Sequence, residues 1–409
     1  KILIMTNNHL VKPFQALRPA PEFAQEVIAP PYDVINIEEA KSIAKNKPHS
    51  FLRISRAELE LETVKDPYSS EVYQRAAANL SALQDKGILV QDNVPSYYVY
   101  RISNSHHQQT GIAVAASIDA YKKNKIKRHE LTRTSKEKDR ISQISATLAQ
   151  TGPVMLINRH IPRLSNLLAA ITKGTEASLE AKMDGWKHQI WPVSDQSAVE
   201  NCSNLINGLD SLYIADGHHR SAAAKQVFES HAGTSSGFLA VIFDEKELKI
   251  LDYNRVVRDL NNLTSESFLA KLERSFEIEN KSSDVRPTKR YSYGLYLNSS
   301  WYELTLRPEF VCNDVIEGLD VSVIQTHILE SVLGINNIRT DPRIDFVGGS
   351  RGSLGVSKRI DTGEMAAGIM LPPTSICDLM AIADQKKIMP PKSTWFEPKL
   401  ADGLLTLLV

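Results

Sequence analysis

Leu212-Tyr213-Ile214-Ala215-Asp216-Gly217-His218-His219-Arg220 passes without a break from four apolar residues to five that are polar or flexible. The apolar four read as a short buried strand, and the spacing at 222–228 reads as a helix, so strand, turn and helix follow in order. Phosphate binds readily at such a junction, because the free amides of the first helical turn and its partial positive charge point at the anion. Gly217, with no Cβ, lets the main chain approach a phosphate closely, while Arg220 offers a planar fork and His218 and His219 two more donors. Asp216 can hold Mg2+ through water or accept a proton from a substrate hydroxyl, so Asp216 and His218 are the catalytic candidates of this corner. Any one of these residues alone reads as an ordinary turn with an Asp cap, exposed imidazoles and a surface ion pair. All five, directly after an apolar strand, favour a site.

Outward from this segment the chain alternates strands and helices. Prolines 13, 19, 21, 30 and 31 forbid a long helix over 11–34 and predict an extended arm. Helical spacing follows at 37–46 and 71–86, the second closed by Gly87. Alternation at 97–103 and 110–119 predicts two antiparallel strands around a polar turn. A helix over 135–150 is stopped by Gly152-Pro153 before a strand at 154–158, and another helix is expected at 164–173. Asp184-Gly185, between two alternating runs, predicts a type I′ hairpin. Further helices are expected at 198–209, 265–276, 321–332 and 375–383. The remaining strands are expected at 291–297, 301–306, 344–347 and 365–371, with a hairpin joining 238–243 to 248–253. The fold class is α+β, a mixed α/β chain. Three regions are expected: 1–120, an N-terminal arm and α+β subdomain; 121–258, the phosphate-binding core; and 259–409, a C-terminal α+β region.

Composition narrows the function classes. A chain of 409 residues with 42% hydrophobic and 23% charged residues is globular and long enough for two or three domains. Forty-eight basic residues balance 48 acidic ones, so no overall field draws it to nucleic acid or an anionic membrane, and a small-molecule partner is favoured. Cys202, Cys312 and Cys377 are too few and too scattered for a disulfide framework; they read as inert thiols in a reducing, cytoplasmic setting. Apolar runs such as 112–118 fall far short of the roughly 20 residues that cross a bilayer. The opening Lys1-Ile2-Leu3-Ile4-Met5 is too short for a secretory signal, and a start at Lys1 implies that the true N-terminus is absent, which leaves room for a removed targeting peptide. A homo-oligomer is compatible with all of this.

Weaker signals lie elsewhere. Arg128-His129-Glu130-Leu131-Thr132 precedes the 135 helix, which carries Lys136, Asp139 and Arg140 on its first turns. If that cluster faces the Asp216 corner, Glu130 is a general base for a hydroxyl, and Lys136 or Arg140 neutralises the transferring phosphoryl group. Otherwise it is a solvated basic loop. Gly348-Gly349-Ser350-Arg351-Gly352 reads as a glycine-rich turn rather than a phosphate cradle, since no lysine follows at Walker spacing. Lys392, Ser393 and Thr394, after Pro390-Pro391, either reach a ligand or pack the tail. His106 and His107 sit in a hairpin loop without further ligands at zinc spacing.

Pro30-Pro31-Tyr32-Asp33-Val34-Ile35, Arg128-His129-Glu130, Ile214 to Arg220, Arg343-Ile344-Asp345-Phe346-Val347-Gly348-Gly349 and 389–399 resemble the bacterial and archaeal family called domain of unknown function 1015. Residues 126–224 also resemble the fold shared by ParB-type nucleotide-binding proteins, sulfiredoxin and the archaeal free-serine kinase. The resemblance implies a central ParB/sulfiredoxin-like nucleotide-binding core with an N-terminal extension. It also implies a kinase that moves phosphate from ATP or ADP, with Mg2+ at Asp216, to the hydroxyl of a metabolite such as free serine. Glu130 would then be the base, and Gly217, His218, His219 and Arg220 would hold the phosphates, with Asp33, Arg128, His129, Lys136, Arg140, Lys392, Ser393 and Thr394 as further candidates. His218 stands where sulfiredoxin chemistry requires a cysteine, which speaks against that reaction. A ParB-like regulatory or interaction protein, binding nucleotide without metabolic turnover, is the alternative.

Overall fold

The computed structural model describes residues 9–61, 66–230 and 235–409; Lys1 to Met5, whose reading is given above, lie outside them. The chain is a mixed α/β protein whose described residues cluster into two compact units, one within 9–128, 132–248 and 398–409, the other within 129–131 and 249–397.

A nine-stranded sheet carries the first unit. From one edge its strands are Ile126–Lys127, Leu212–Asp216, Val154–Asn158, Gly237–Asp244, Gln108–Ser117, Tyr97–Ser103, Trp186–Val193 and Leu179–Met183, and Val11–Lys12 adds to Gln108–Ser117. Two pairs are parallel, Leu212–Asp216 with Ile126–Lys127 and Gly237–Asp244 with Val154–Asn158; the rest are antiparallel. The central strands are nearly continuous apolar runs, as strands buried on both faces must be. Leu156, Ile214, Ala240 and Ile242 pack with Leu164 and Leu168 of the helix Pro162–Thr172 and with Cys202 and Ile206 of Gln196–Asn207. Helix Thr134–Thr147 packs through Ile144 on Ala223 and Val227 of helix His218–Ser230.

A smaller antiparallel sheet, in the order Leu89–Gln91, Ala16–Pro19, Thr406–Leu408 and Ala149–Gln150, ties the arm to the end of the chain. Ala29 and Asp402 extend this tie, each amide donating to the other's carbonyl at 3.1 and 2.9 Å. The helix expected to reach 150 stops at Thr147, where Leu148 turns left-handed, because 149–150 is recruited as a strand against Leu407 and Leu408.

The second unit is built on an antiparallel six-stranded sheet in the order Phe276–Lys281, Ser300–Leu306, Ser292–Leu297, Ala367–Met370, Tyr253–Val257 and Ile344–Gly348. Val256, Tyr296, Val347, Met365 and Met370 pack with Val356 of helix Gly352–Asp361. Two expectations fail here. The hairpin of 238–243 with 248–253 does not form: both edges of Gly237–Asp244 are taken, and Lys249–Leu251 pairs with Trp395–Glu397 instead. The helix expected over 321–332 is α-helical only over Asp320–Ile324 and continues as a π-helix over Gln325–Glu330. Among the described residues no helix is long and apolar enough to cross a membrane.

Candidate functional site

Leu212–Asp216 ends in a register shift against Val154–Asn158, between Ile214 and Asp216. Gly217 follows with φ 97°, and a Cβ there would lie 3.2 Å from the Val154 Cα, so both the conformation and the close approach require glycine. Helix His218–Ser230 begins at the next residue, one turn earlier than the apolar spacing suggested. Its first internal bond runs from the Ser221 amide to the Gly217 carbonyl at 3.1 Å. The amides of His218, His219 and Arg220 therefore open the helix, as a helix N-terminus does when it meets an anion.

Charged groups crowd this corner. Lys399 Nζ donates to Asp216 Oδ2 at 2.9 Å. Burial by itself would raise the Asp216 carboxyl, but Lys399 and Arg220 together hold it well below the usual carboxylate range, so it is an anion at any physiological pH. Arg220 donates through Nη1 to the Pro153 carbonyl at 2.7 Å and directs Nη2 at Asp33 Oδ1, 3.5 Å away. Despite burial, the carboxylates of Asp33, Asp402 and Asp216 keep its guanidinium firmly charged. Two arginines approach the Tyr32 ring, with the Arg140 guanidinium carbon 3.7 Å and that of Arg220 5.8 Å from its centroid. Arg140 gives Nε and Nη2 to Asp139 Oδ2 at 3.1 and 2.9 Å, and Asp139 Oδ1 accepts from the Tyr73 hydroxyl at 2.9 Å.

Asp402 completes the group. It is 2% exposed, and its Oδ1 accepts no hydrogen bond among the described residues. Burial above all lifts its carboxyl to about 7, Asp33 adding to the rise while Arg220 and Arg140 oppose it.

The expected site residues divide accordingly. Asp33, Arg140, Asp216, Gly217 and Arg220 converge in the first unit. His219 lies there too, but its Nε2 accepts from the Arg133 amide at 2.9 Å, which assigns the ring proton to Nδ1; burial lowers its pKa. His218 is buried. Lys136 is turned to Tyr68, its Nζ 3.2 Å from the hydroxyl, and exposed Arg128 lies 5.2 Å over the Tyr121 ring. His129 and half-buried Glu130 belong to the second unit, where the His129 carbonyl accepts from the Met389 amide at 2.8 Å. In that unit Lys392 Nζ is 5.3 Å from the Tyr253 ring and Ser393 Oγ donates to the Pro390 carbonyl at 2.6 Å, while Thr394 is half-buried beside them. Tyr32, Gly152, Lys399 and Asp402 are not among the site residues expected from the sequence. For Asp402 a signal exists, an acid set among Leu400, Ala401, Leu404 and Leu405.

Residues 11–322 match the family described as "Protein of unknown function (DUF1015)". The chain belongs to that family. No curated protein matches this DUF1015 chain. Among solved structures it is similar to a conserved hypothetical protein from Pyrococcus furiosus, at 13% identity and TM-score 0.37, over 73% of this chain and 95% of that one. It is also similar to a free serine kinase in complex with AMP, at 13% identity and TM-score 0.38, over 70% and 86% of the two chains. SbnI with a C-terminal truncation, from Staphylococcus aureus, matches at 11% identity and TM-score 0.39, over 72% and 87%.

Proposed function

We propose that this chain is a cytoplasmic small-molecule kinase, transferring a phosphoryl group from ATP or ADP to the hydroxyl of a metabolite such as free serine. One observation carries the reading: a buried strand turns into a helix through Gly217 at φ 97°, with cationic Lys399 and Arg220 and anionic Asp216 gathered at the turn. Phosphoryl transfer asks its protein for little beyond position and charge, and this corner supplies both. The amides at 218–220 and the Arg220 guanidinium bind the phosphates, and Lys399 adds a charge that follows Asp216.

Asp216 suits a Mg2+ role, because it stays ionised at the turn where the phosphates would bind. Mg2+ there would neutralise phosphate charge.

The reading is tested by calorimetry with ATP, ADP and AMP, and by incubating labelled nucleotide with small alcohols. Arg220→Ala should weaken nucleotide binding at least 10-fold, the loss expected for a charge-assisted contact. Product should be a phosphorylated alcohol. Tight nucleotide binding with no product from any alcohol would instead favour the regulatory reading.

A further inference from the structure

The pocket beside the Gly217 corner contains a hydrogen-bonding mismatch that the phosphate reading leaves unused. It is lined by Tyr32, Arg140, Gly152, Arg220 and Asp402, together with Gln143, and its volume is about 20 Å3. That is room for one hydroxyl or one water and little more. Into it faces Asp402 Oδ1, an acceptor that is buried and without a partner among the described residues. Beside it is Arg220, which gives one N–H of Nη1 to Pro153 and directs one of Nη2 at Asp33, keeps a second N–H on each for phosphate, and has its Nε on the Gly152 side of the pocket. Asp402 and Arg220 form no direct ion pair within 4 Å among the described residues. Both instead border the space left open by Gly152, where a Cβ would lie 2.8 Å from Asp402 Oδ1 and 3.3 Å from Arg220 Nε.

An acceptor and a donor that share a cavity of this size select what enters. An ammonium would be repelled by Arg220 and Arg140, and a carboxylate is too large for a space of about 20 Å3. A methyl group would leave two buried polar atoms unpaired. A hydroxyl satisfies both at once, because its hydrogen can go to one and its oxygen can accept from the other.

We propose that Asp402 is the general base of the transfer, and that the acceptor hydroxyl binds over Gly152 with its hydrogen on Asp402 Oδ1 and its oxygen accepting from Arg220 Nε–H. This rests on the kinase reading and names the residue that activates its substrate. As the hydroxyl oxygen bonds to the terminal phosphorus of the nucleotide, its proton passes to the Asp402 carboxylate. The bond from that phosphorus to the bridging oxygen breaks, the shortened nucleotide leaves with the electron pair, and Asp402 returns the proton to solvent. A carboxyl lifted to about 7 suits a base at neutral pH. The charged and titratable groups facing it are Arg220, Arg140, Asp33, Tyr32 and Tyr100.

The test uses the full chain with ATP or ADP, Mg2+ and a panel of free serine, threonine and glycerol. Asp402→Asn should lower kcat roughly 100-fold or more, the range of general-base contributions. Its nucleotide Kd should stay within about twofold, and the rise of kcat from acid to neutral pH should disappear. Gly152→Ala, which puts a methyl into the hydroxyl's space, should raise the acceptor KM while sparing the nucleotide Kd. Thermal melts confirm that both variants fold. Wild-type turnover matched by Asp402→Asn, or lost in Glu130→Gln alone, overturns the inference and leaves the kinase reading standing. No phosphorylated product from the wild-type protein removes both together.

Discussion

At the scale of single residues, Asp402 decides most. Its carboxyl is lifted to about 7 because burial disfavours the anion more than Arg220 and Arg140 favour it. The folded protein therefore binds a proton that the unfolded chain has released over the range from about pH 4 to about pH 7. Stability contributed by this group is complete below that window and declines as pH rises through it. We expect denaturant midpoints to fall between pH 4.5 and 7.5 in the wild-type protein and to fall less in Asp402→Asn; identical slopes would contradict the assignment. Asp216 works in the opposite sense. Lys399 and Arg220 keep its pKa low, so its contribution is present at neutral pH and is lost only in strong acid. Gly217, legible in the sequence as a junction glycine, owes its φ of 97° and its 3.2 Å approach to Val154 to a ladder that no local reading reveals.

At the scale of elements, the strands and helices whose pattern is local were read closely. The alternation at 97–103 is the strand Tyr97–Ser103, and the apolar run at 154–158 is Val154–Asn158. Asp184-Gly185 joins Leu179–Met183 to Trp186–Val193 with φ of 50° and 79°, the two positive values a type I′ turn needs. Nothing lies within 4 Å of where a Gly185 Cβ would be, so Gly185→Ala should cost only backbone strain, about 1 kcal/mol, without changing nucleotide affinity. Chemical denaturation and calorimetry on the same variant check both halves. Elements were misread where partners distant in sequence decide the conformation. Residues 149–150 leave a helical pattern to pair with the chain's end, and Lys249–Leu251 takes Trp395–Glu397 in place of its sequence neighbour.

At the scale of the whole molecule, the last dozen residues hold the candidate site together. Thr406–Leu408 is an inner strand between Ala16–Pro19 and Ala149–Gln150, and the same segment delivers Lys399 to Asp216 and Asp402 to the pocket beside Arg220. Deleting 398–409 should therefore abolish nucleotide binding. It should also raise hydrogen exchange in the arm 16–19 and at 149–150, while helix Ser265–Leu272 of the second unit keeps its protection. Mass-spectrometric exchange on the truncated protein reads all three at once; unchanged protection at 16–19 would refute the role given to the segment.

The residues alone determined the mixed α/β class, the succession of most strands and helices, and the corner from Asp216 to Arg220, because these rest on periodicity, turn chemistry and the change from apolar to polar within one short run. The tertiary structure alone decided which charges share that corner. Asp33, Arg140, Gly152, Arg220, Lys399 and Asp402 are scattered between positions 33 and 402, and strand pairing between the arm, 149–150 and the chain's end brings them within reach of one another. Local pattern specifies how a segment folds, whereas a site assembled from distant segments depends on which edges are left to pair once the core has formed.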